Sequence, residues 1–239
     1  MKRDEITSRL ARGEPLADLD LSGADLSGLD LSDAALMACN LTGANLRGVT
    51  GARLMVTQCD LTGADLEGVR LNAATITGSC LEGANLEQAR LDMCVFSEAS
   101  AVGLQLSGAE LELCVLIGVD LSGARARGIR LPASALSECV LEGLDLQGAD
   151  LNRAALRQCD LTGVNLAGVG LRGAILVGSN LAGMDLGGYD LTLAQLTGAD
   201  LKGVNLQGAC LDQTGLCEAS LEGARLGKAA GRTTLLAGA

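Results

Sequence analysis

Apolar residues return at every fifth position along almost the whole chain, beginning at Leu16 and ending at Leu226. Of these 43 central positions 37 are Leu, and the exceptions are Gly51, Val56, Ile76, Phe96, Ala101 and Ala126. A period of five fits neither the 3.6-residue period of an amphipathic helix nor the alternation of a flat strand. The chain must therefore turn a corner every five residues if all of these side chains are to share one interior.

A second period, of twenty residues, is set by glycine. Gly stands at residue 23 and at every twentieth position up to residue 223, which is eleven times without a gap. Repetition at a fixed period indicates one structural unit stacked end to end. Since four corners close a square, the pattern predicts about eleven square coils of twenty residues. The first to fourth faces are numbered by their central residues in the first coil: Leu21, Leu26, Leu31 and Leu36.

The tripeptides ADL, ANL, CDL and VNL, each followed by two variable residues, recur in segments such as LSGADLSGLDLS and LTGADLEGV. These motifs, which cover roughly nine-tenths of the chain, resemble those of the pentapeptide-repeat family. The resemblance implies an all-β fold, a right-handed quadrilateral β-helix or solenoid. It also implies that the central Leu and the small residue two positions before it (here called the small inner position) point inward, while the other three positions face solvent.

The segment KRDEITSRLAR, residues 2–12, predicts a short helix with Ile6 and Leu10 on one face, ended by Gly13 and Pro15. An open solenoid end exposes unpaired strand edges and core Leu, so a capping helix is expected there. The chain is accordingly divided into a cap helix with the turn that follows it (1–15), the repeat solenoid (16–228) and a tail or partial last coil (229–239).

Glycine also predicts the shape of the corners. A type II turn needs a positive φ at its third residue, which Gly adopts without cost. Gly occupies that place throughout the first face and nearly throughout the second, whereas the third face has residues such as Asp33, Arg53 and Ala73. We therefore expect type II corners on the first two faces, another turn type on the third and a mixture on the fourth.

Composition narrows the functional classes. The chain has 18 basic and 29 acidic residues, a net charge of -11, and no His. No Ser, Cys or Lys stands beside an evident base, and no CxxC pair exists, so we expect no enzyme activity, no cofactor and no metal site. The acidic balance argues against direct nucleic-acid binding. No apolar stretch reaches the roughly 18 residues of a membrane span, so no membrane insertion is expected.

The first ten residues show no secretory signal. A cytoplasmic location is therefore expected, and export by a signal-independent route stays open. Nine cysteines are present, and six of them occupy small inner positions: Cys39, Cys59, Cys94, Cys114, Cys139 and Cys159. Three pairs of these are one coil apart, about 4.8 Å by strand spacing. Parallel side-chain directions disfavour disulfides, so reduced thiols that act as small hydrophobes are expected.

Two surfaces depart from the repeat average. The first face carries eight carboxylates against Lys202 alone, a net charge of about seven of the chain's -11. These acidic candidates are Asp20, Asp60, Glu82, Asp120, Glu142, Asp160, Asp200 and Glu222. The fourth face carries an outward apolar stripe, which is typical of a contact surface, although the β-propensity of flat strands accounts for part of it. The apolar candidates are Met37, Met55, Val95, Val115, Ile117, Ile175 and Val177.

Two functions follow. The first is a non-enzymatic protein–protein interaction scaffold or adaptor of a bacterial system, because residues 10–34, LARGEPLADLDLSGADLSGLDLSDA, are similar to pentapeptide-repeat proteins that accompany type VI secretion components. The alternative is a DNA mimic that binds topoisomerase (gyrase) and gives resistance to quinolones or other topoisomerase poisons, as the quinolone-resistance branch of the family is thought to do.

Magnitudes and motifs favour the first function. Eleven coils span about 50 Å, over which duplex DNA carries on the order of 30 charges, against about seven here. The Phe-rich centres, interrupting loops and aromatic C-terminal dimer module of the quinolone-resistance branch are also missing. A homodimer through the weakly capped C-terminal end is expected as a further partner.

Overall fold

The structure, a computed structural model, describes residues 3–239; Met1 and Lys2 of the predicted cap lie outside the described residues. The chain forms a β-solenoid in which backbone pairs are parallel and join residues twenty positions apart, such as Val95 and Val115. This spacing is the glycine period. The all-β repeat fold expected from the sequence is confirmed.

One helix and twelve short strands make up the regular structure. Helix α1 is Arg3–Ala11. The strands are β1 (Leu16–Ala17), β2 (Ala35–Met37), β3 (Thr50–Ala52), β4 (Met55–Thr57), β5 (Arg70–Asn72), β6 (Thr75–Thr77), β7 (Arg90–Asp92), β8 (Val95–Ser97), β9 (Glu110–Glu112), β10 (Val115–Ile117), β11 (Ala135–Ser137) and β12 (Ala155–Arg157). An eight-stranded sheet, β1-β2-β4-β6-β8-β10-β11-β12, follows the fourth face, and a four-stranded sheet, β3-β5-β7-β9, follows the third.

Pairing extends beyond the strands. The eight-stranded sheet spans seven coil intervals, and isolated bridges carry the same face onward through Ile175, Gln195 and Gly215 to Leu235. On the third face Cys210 pairs with Ala230. The backbone after residue 228 therefore keeps the twenty-residue register of the solenoid.

The cap covers the first coil. Ile6 on α1 is 1% exposed and Leu10 is partly buried against the core. The Arg3 guanidinium donates to the backbone oxygen of Asp25 at 3.0 Å. The helix ends where the Gly13 N–H donates to Leu10 O at 2.9 Å, and Gly13 has φ 67°. One apolar side of a short helix thus shields leucines that the first coil would otherwise expose.

The interior is a continuous stack of central residues, all of which are buried from Leu16 to Leu216. Full burial of one Leu side chain contributes about 1.5–3 kcal/mol. Where the central residue is unusually small, a large residue occupies the next small inner position three residues later. Leu54 follows Gly51 in this way, and a Cβ on Gly51 would lie 3.3 Å from Leu54 Cβ and 3.2 Å from Leu71 Cδ2. The other such pairs are Ala101 with Leu104 and Ala126 with Ile129.

The corners of the first and second faces are hydrogen-bonded turns at every coil. From Leu21 to Leu226 the central C=O accepts the N–H three residues later at 2.9–3.2 Å. Positive φ occurs only at the third turn residue, including the non-glycine Gln88 and Lys228. This combination defines type II turns, as expected for these two faces.

The expectation for the third face is wrong for most coils. The same hydrogen-bonded turn forms at Leu31, Leu131, Leu151, Leu171, Leu191 and Leu211, and the third turn residue has positive φ whether or not it is Gly. Nine non-glycine residues adopt φ of 52–63° at this corner: Asp33, Arg53, Ala73, Met93, Leu113, Ala133, Arg153, Leu193 and Gln213. The ladder of neighbouring coils imposes this conformation, at a cost of about 1–2 kcal/mol per residue. On the third face, between the described residues Leu31 and Leu211, the turn hydrogen bond is missing only at the corners that follow β3, β5, β7 and β9.

Most corners of the fourth face also lack the turn hydrogen bond, and the small inner positions supply a replacement. At these open corners the N–H of the small inner residue has no turn carbonyl to bind. The Cys59 N–H, after the fourth-face centre Val56, donates instead to Ser79 Oγ at 3.1 Å. The same replacement occurs at the open third-face corner after Leu111, where the Cys114 N–H donates to Ser134 Oγ at 2.9 Å. The Ser134 hydroxyl donates onward to Leu111 O at 2.7 Å. Cys and Ser therefore occupy these positions as small residues that also satisfy buried backbone groups.

All nine cysteines are free thiols, and the six at small inner positions are buried. Burial disfavours the thiolate, which raises the pKa of Cys159 to about 11 and also raises the pKa of Cys139. A protonated, buried thiol is a poor nucleophile and a poor metal ligand. These cysteines act as core residues.

Candidate functional site

From Ala35 to Ile117 the fourth face presents a flat and uncharged sheet surface; Arg157 on β12 is a charged residue further along the same sheet. The residues on either side of its centres from Ala35 to Ile117 include no charged side chain. Met37 is 46% exposed, Met55 50% and Ile117 43%, whereas Val95, Val115, Ile175 and Val177 are half-buried by neighbouring coils. All seven predicted apolar residues thus lie on one face.

The ladder places these residues in register. Val95 on β8 pairs with Val115 on β10, and both follow Met55 and Thr75 along the same column. Adjacent side chains in such a column are about 4.8 Å apart. Neighbouring β-branched side chains in this arrangement form a continuous apolar strip.

Two further apolar side chains border the strip at the corners between the third and fourth faces. Met93 is 47% exposed and Leu113 is 50% exposed. Their φ values are 53° and 54°, a region that bulky residues rarely adopt. Met93 and Leu113 do not belong to the apolar surface predicted from the sequence, because the corner position was used there only to predict turn type from Gly. A large apolar residue at that position is the sequence signal that would have identified them.

Together Met93, Val95, Leu113, Val115 and Ile117 form what we call the fourth-face patch. Each member is at least partly exposed, and its two corner residues keep an unfavourable backbone conformation with an exposed apolar side chain. Neither property stabilises the solenoid. The patch can form a dry contact with another apolar surface, which is the chemistry of a protein-binding site.

The acidic candidates lie on the first face but do not form a dense row. In the column that contains Asp20, Asp60 and Asp120, the intervening pairing partners are uncharged: Asn40, Cys80 and Ser100. Val140 separates Asp120 from Asp160, and Asn180 separates Asp160 from Asp200. Consecutive carboxylates of the column are therefore two coils or more apart, about 10 Å at least by strand spacing.

Most of these carboxylates bind the local backbone. Asp160 Oδ1 accepts the Thr162 N–H at 2.9 Å and the Thr162 hydroxyl at 2.6 Å. These donors, the hydroxyl first, hold the pKa of Asp160 below its usual value. Asn40 Oδ1 accepts the corresponding Thr42 N–H at 3.0 Å. The column thus provides an acceptor for the turn backbone, as expected of Asp and Asn in turns.

Glu82 and Asp200 make contacts with neighbouring side chains. Glu82 accepts the Ser100 hydroxyl at 2.8 Å, and Asp200 pairs with Lys202 at 3.7 Å. Glu142 and Glu222 lie on the same face, beside the first-face centres. Within residues 3–239, no group of three or more His, Cys, Asp or Glu residues is arranged to hold a metal ion. Over the same residues, no helix combines the length and apolar character that crossing a bilayer requires.

Comparison with known proteins identifies the repeat. A family model described as pentapeptide repeats matches in 8 copies, over residues 16–50, 56–88, 79–116, 94–131, 134–173, 174–213 and 194–229. No curated protein matches significantly. Among solved structures, the chain is similar to HetL, a pentapeptide repeat protein involved in heterocyst differentiation regulation from the cyanobacterium Nostoc sp. strain PCC 7120, with 29% identity, coverage of 96% of this chain and 94% of HetL, and a TM-score of 0.46.

Full-length QnrB1, a plasmid-mediated fluoroquinolone resistance protein, is 18% identical over 91% of this chain and 93% of QnrB1, with a TM-score of 0.37. Rfr23 from the cyanobacterium Cyanothece 51142 is 28% identical over 49% of this chain and 63% of Rfr23, with a TM-score of 0.18. These TM-scores are too low to support a functional argument. The repeat match covers nearly the whole solenoid, and the chain belongs to the pentapeptide-repeat family.

Proposed function

We propose that the chain is a non-enzymatic scaffold that binds another protein through the fourth-face patch. The observation that carries the proposal is the exposure of Met93 and Leu113 in a left-handed backbone conformation beside the exposed Ile117. Gly or Asp would relieve the backbone cost at both corners. The apolar side chains that stand there instead increase the area available for contact.

The shape and charge of the patch indicate its partner. The surface is flat, uncharged and built on paired strands, so it suits a flat apolar surface of a partner rather than a charged ligand. Because every strand of the sheet except β1 and β12 has neighbours on both sides, side chains rather than backbone edges make the contact. Partner binding by this route should depend weakly on salt, since no ion pair contributes.

Within this proposal, the chain is an adaptor in a bacterial system, and the similarity of residues 10–34 to proteins accompanying type VI secretion suggests that setting. We place the protein in the cytoplasm for this role. The DNA-mimic alternative requires the first-face carboxylates to imitate phosphates. The Asp residues of this face are about 10 Å or more apart along their column and bind the turn backbone, which supports a structural role instead.

The test is affinity capture with the purified full chain as bait, comparing three variants. The double variant Val115→Ser, Ile117→Ser removes the apolar side chains at the centre of the patch. Because both side chains point outward, the fold should be retained. Val102→Ser changes an exposed apolar residue (39% exposed) on the first face and is the matched control. Asp120→Asn with Asp160→Asn tests the acidic face.

The proposal expects a partner that the patch variant loses and the other two variants keep, with little change in 0.5 M salt. Recovery of secretion proteins in this pattern supports the adaptor. Salt-sensitive recovery of gyrase subunits that only the Asp variant loses would support the DNA mimic and overturn the proposal. Equal capture by the wild type and the patch variant would also overturn it.

We also propose end-to-end homodimerisation. Leu226, Leu235 and Leu236 are 45%, 58% and 55% exposed in the last part of the solenoid. Leu226 and Leu236 occupy central positions and Leu235 lies beside Leu236 on the outward side, so apolar side chains at this end are available to a second copy. Light scattering coupled to size-exclusion chromatography should show a dimer that Leu235→Ser with Leu236→Ser converts to a monomer. A wild-type monomer at all concentrations would refute this association.

A further inference from the structure

The ladder between coils is interrupted at three places. Within residues 3–239, the outer columns of the first three faces are paired at every level except at three positions. The missing pairs are Val140–Asp160 on the first face, Asn165–Asp185 on the second and Gly170–Asp190 on the third. Open grooves accompany them, with volumes of about 640 Å³ at the first gap and about 410 Å³ and 470 Å³ at the other two.

Backbone hydrogen bonds are lost at the same positions. One coil earlier, the Leu121 N–H donates to Val140 O and the Gly123 N–H donates to Glu142 O, both at 2.8 Å. The equivalent N–H groups of Leu141 and Gly143 have no backbone partner in the described chain. The first gap therefore removes at least two rungs of the ladder, whereas the third gap keeps one of its rungs, in which the Gly173 N–H donates to Thr192 O at 2.8 Å.

Bulky residues at small inner positions coincide with the gaps inside the stack. Leu54, Leu104 and Ile129 each follow an unusually small central residue, so their volume is compensated. The side-chain volume is not compensated where a bulky residue follows a full-sized central Leu, as in the pairs Leu141 with Leu144, Leu181 with Met184 and Leu186 with Tyr189. Leu19 and Leu29 also follow a full-sized Leu, but they lie in the first coil, which has a neighbouring coil on one side only, and its pairs with the second coil are kept.

The gaps lie beside these bulky residues. Leu144, Val164 and Met184 stack in one column, which is Ala at most other levels. The Tyr189 hydroxyl reaches across the seam and donates to Leu166 O. Excess volume in a packed core shifts the backbone, and here it separates neighbouring coils.

The fourth face remains paired throughout this region. β11 pairs with β12, and isolated bridges continue from Ala155 to Ile175 and from Ile175 to Gln195. One unbroken column thus joins two regular stacks across coils that are open on their other three faces. We propose that the coils between Val140 and Asp190 form a hinge, which bends the rod toward its fourth face while that face stays paired.

Hydrogen exchange of the full-length wild-type protein tests the hinge directly. Amide groups in 138–143, 158–170 and 185–190 should exchange at least about tenfold faster than those at the same places in regular coils, 38–43, 58–70 and 85–90. Amides of β11 and β12 should remain protected. Equal protection in the two sets of segments would overturn the proposal.

The cause is tested by replacing the bulky residues with the usual Ala. The variant Leu144→Ala, Met184→Ala, Tyr189→Ala should slow exchange in the three hinge segments by about tenfold, because the coils can then close. The matched control is Leu104→Ala, which deletes a compensated side chain of the same column and should speed exchange around residues 101–106. If the triple variant exchanges faster in the hinge segments than the wild type, overpacking is not the cause and the hinge mechanism fails.

Discussion

At one corner of the interior the usual side-chain volumes are swapped: Gly51 occupies a central position, where Leu is usual, and Leu54 occupies the next small inner position, where Ala is usual. Mutation can restore the usual arrangement. Leu54→Ala alone removes a buried side chain that is 4% exposed and should destabilise the protein by about 2–5 kcal/mol. Gly51→Leu alone adds atoms where a Cβ already meets Leu71 Cδ2 at 3.2 Å and Leu54 Cβ at 3.3 Å. Overpacking of this kind costs about 1–3 kcal/mol.

The double variant restores the usual corner, with Leu at the centre and Ala at the small inner position. Gly51 lies in β3 and does not have a positive φ, so Leu suits its backbone. We therefore expect the double variant to lie within about 1 kcal/mol of the wild type. Additive single effects would instead give a loss of about 3–8 kcal/mol.

Urea-induced unfolding followed by circular dichroism measures this coupling in the wild type, the two single variants and the double variant. A control combines Gly51→Leu with Leu104→Ala, which lies more than two coils away, about 13 Å by strand spacing, and should be additive. If the destabilisation of the Gly51/Leu54 double variant equals the sum of the singles, the volume-exchange account of the interior is wrong.

Two further predictions concern polar groups. Ser134→Ala leaves the buried Cys114 N–H without its acceptor at 2.9 Å and should lower the free energy of unfolding, measured in urea, by about 1–3 kcal/mol. The control Ser137→Ala, on the outward side, should lower it by under about 0.5 kcal/mol. Equal effects of the two variants would contradict the hydrogen-bond role of Ser134. The Asp160 carboxyl, whose pKa is lowered by Thr162, should stabilise the fold above the unfolded pKa of about 3.9, and this contribution is lost as pH falls through the folded pKa. Carboxyl NMR titration should show a lower midpoint than in Thr162→Ala, and identical midpoints would refute the assignment.

The sequence predicts the fold well because each five-residue unit buries its own central residue. Central residues from Leu16 to Leu216 are buried, and no long-range pairing has to be guessed once the period is known. The corners were harder to predict. Ala73 and Arg53 have the same positive φ as Gly63, because the neighbouring coils impose it. The presence of Gly therefore indicates only that a corner favours a positive φ. Backbone pairing with the neighbouring coils determines whether that φ is adopted.

The apolar site was predicted in part for a similar reason. Val95 and Val115 follow from spacing alone, since residues twenty apart share a column. Met93 and Leu113 required knowledge of which face their corner side chains border. The proposed hinge could not be predicted either. A large side chain at a small inner position fits after the small central residue Ala101, whereas after the full-sized Leu181 it overpacks the interior. Volume has to be compared between positions three residues apart, and a column-by-column reading of the sequence does not make that comparison.

The acidic face shows why a charge pattern alone is weak evidence of function. Asn40 and Asn180 interrupt the Asp column, and their side-chain oxygens accept the same N–H two residues later, at 3.0 Å and 3.1 Å. An amide can replace a carboxylate there because the turn needs an acceptor and not a charge. A surface that imitated phosphates would need the charge at each level. The apolar corner residues have no such structural role, since Gly or Asp would fit the backbone better. They therefore carry more weight as evidence of a binding surface than the eight carboxylates do.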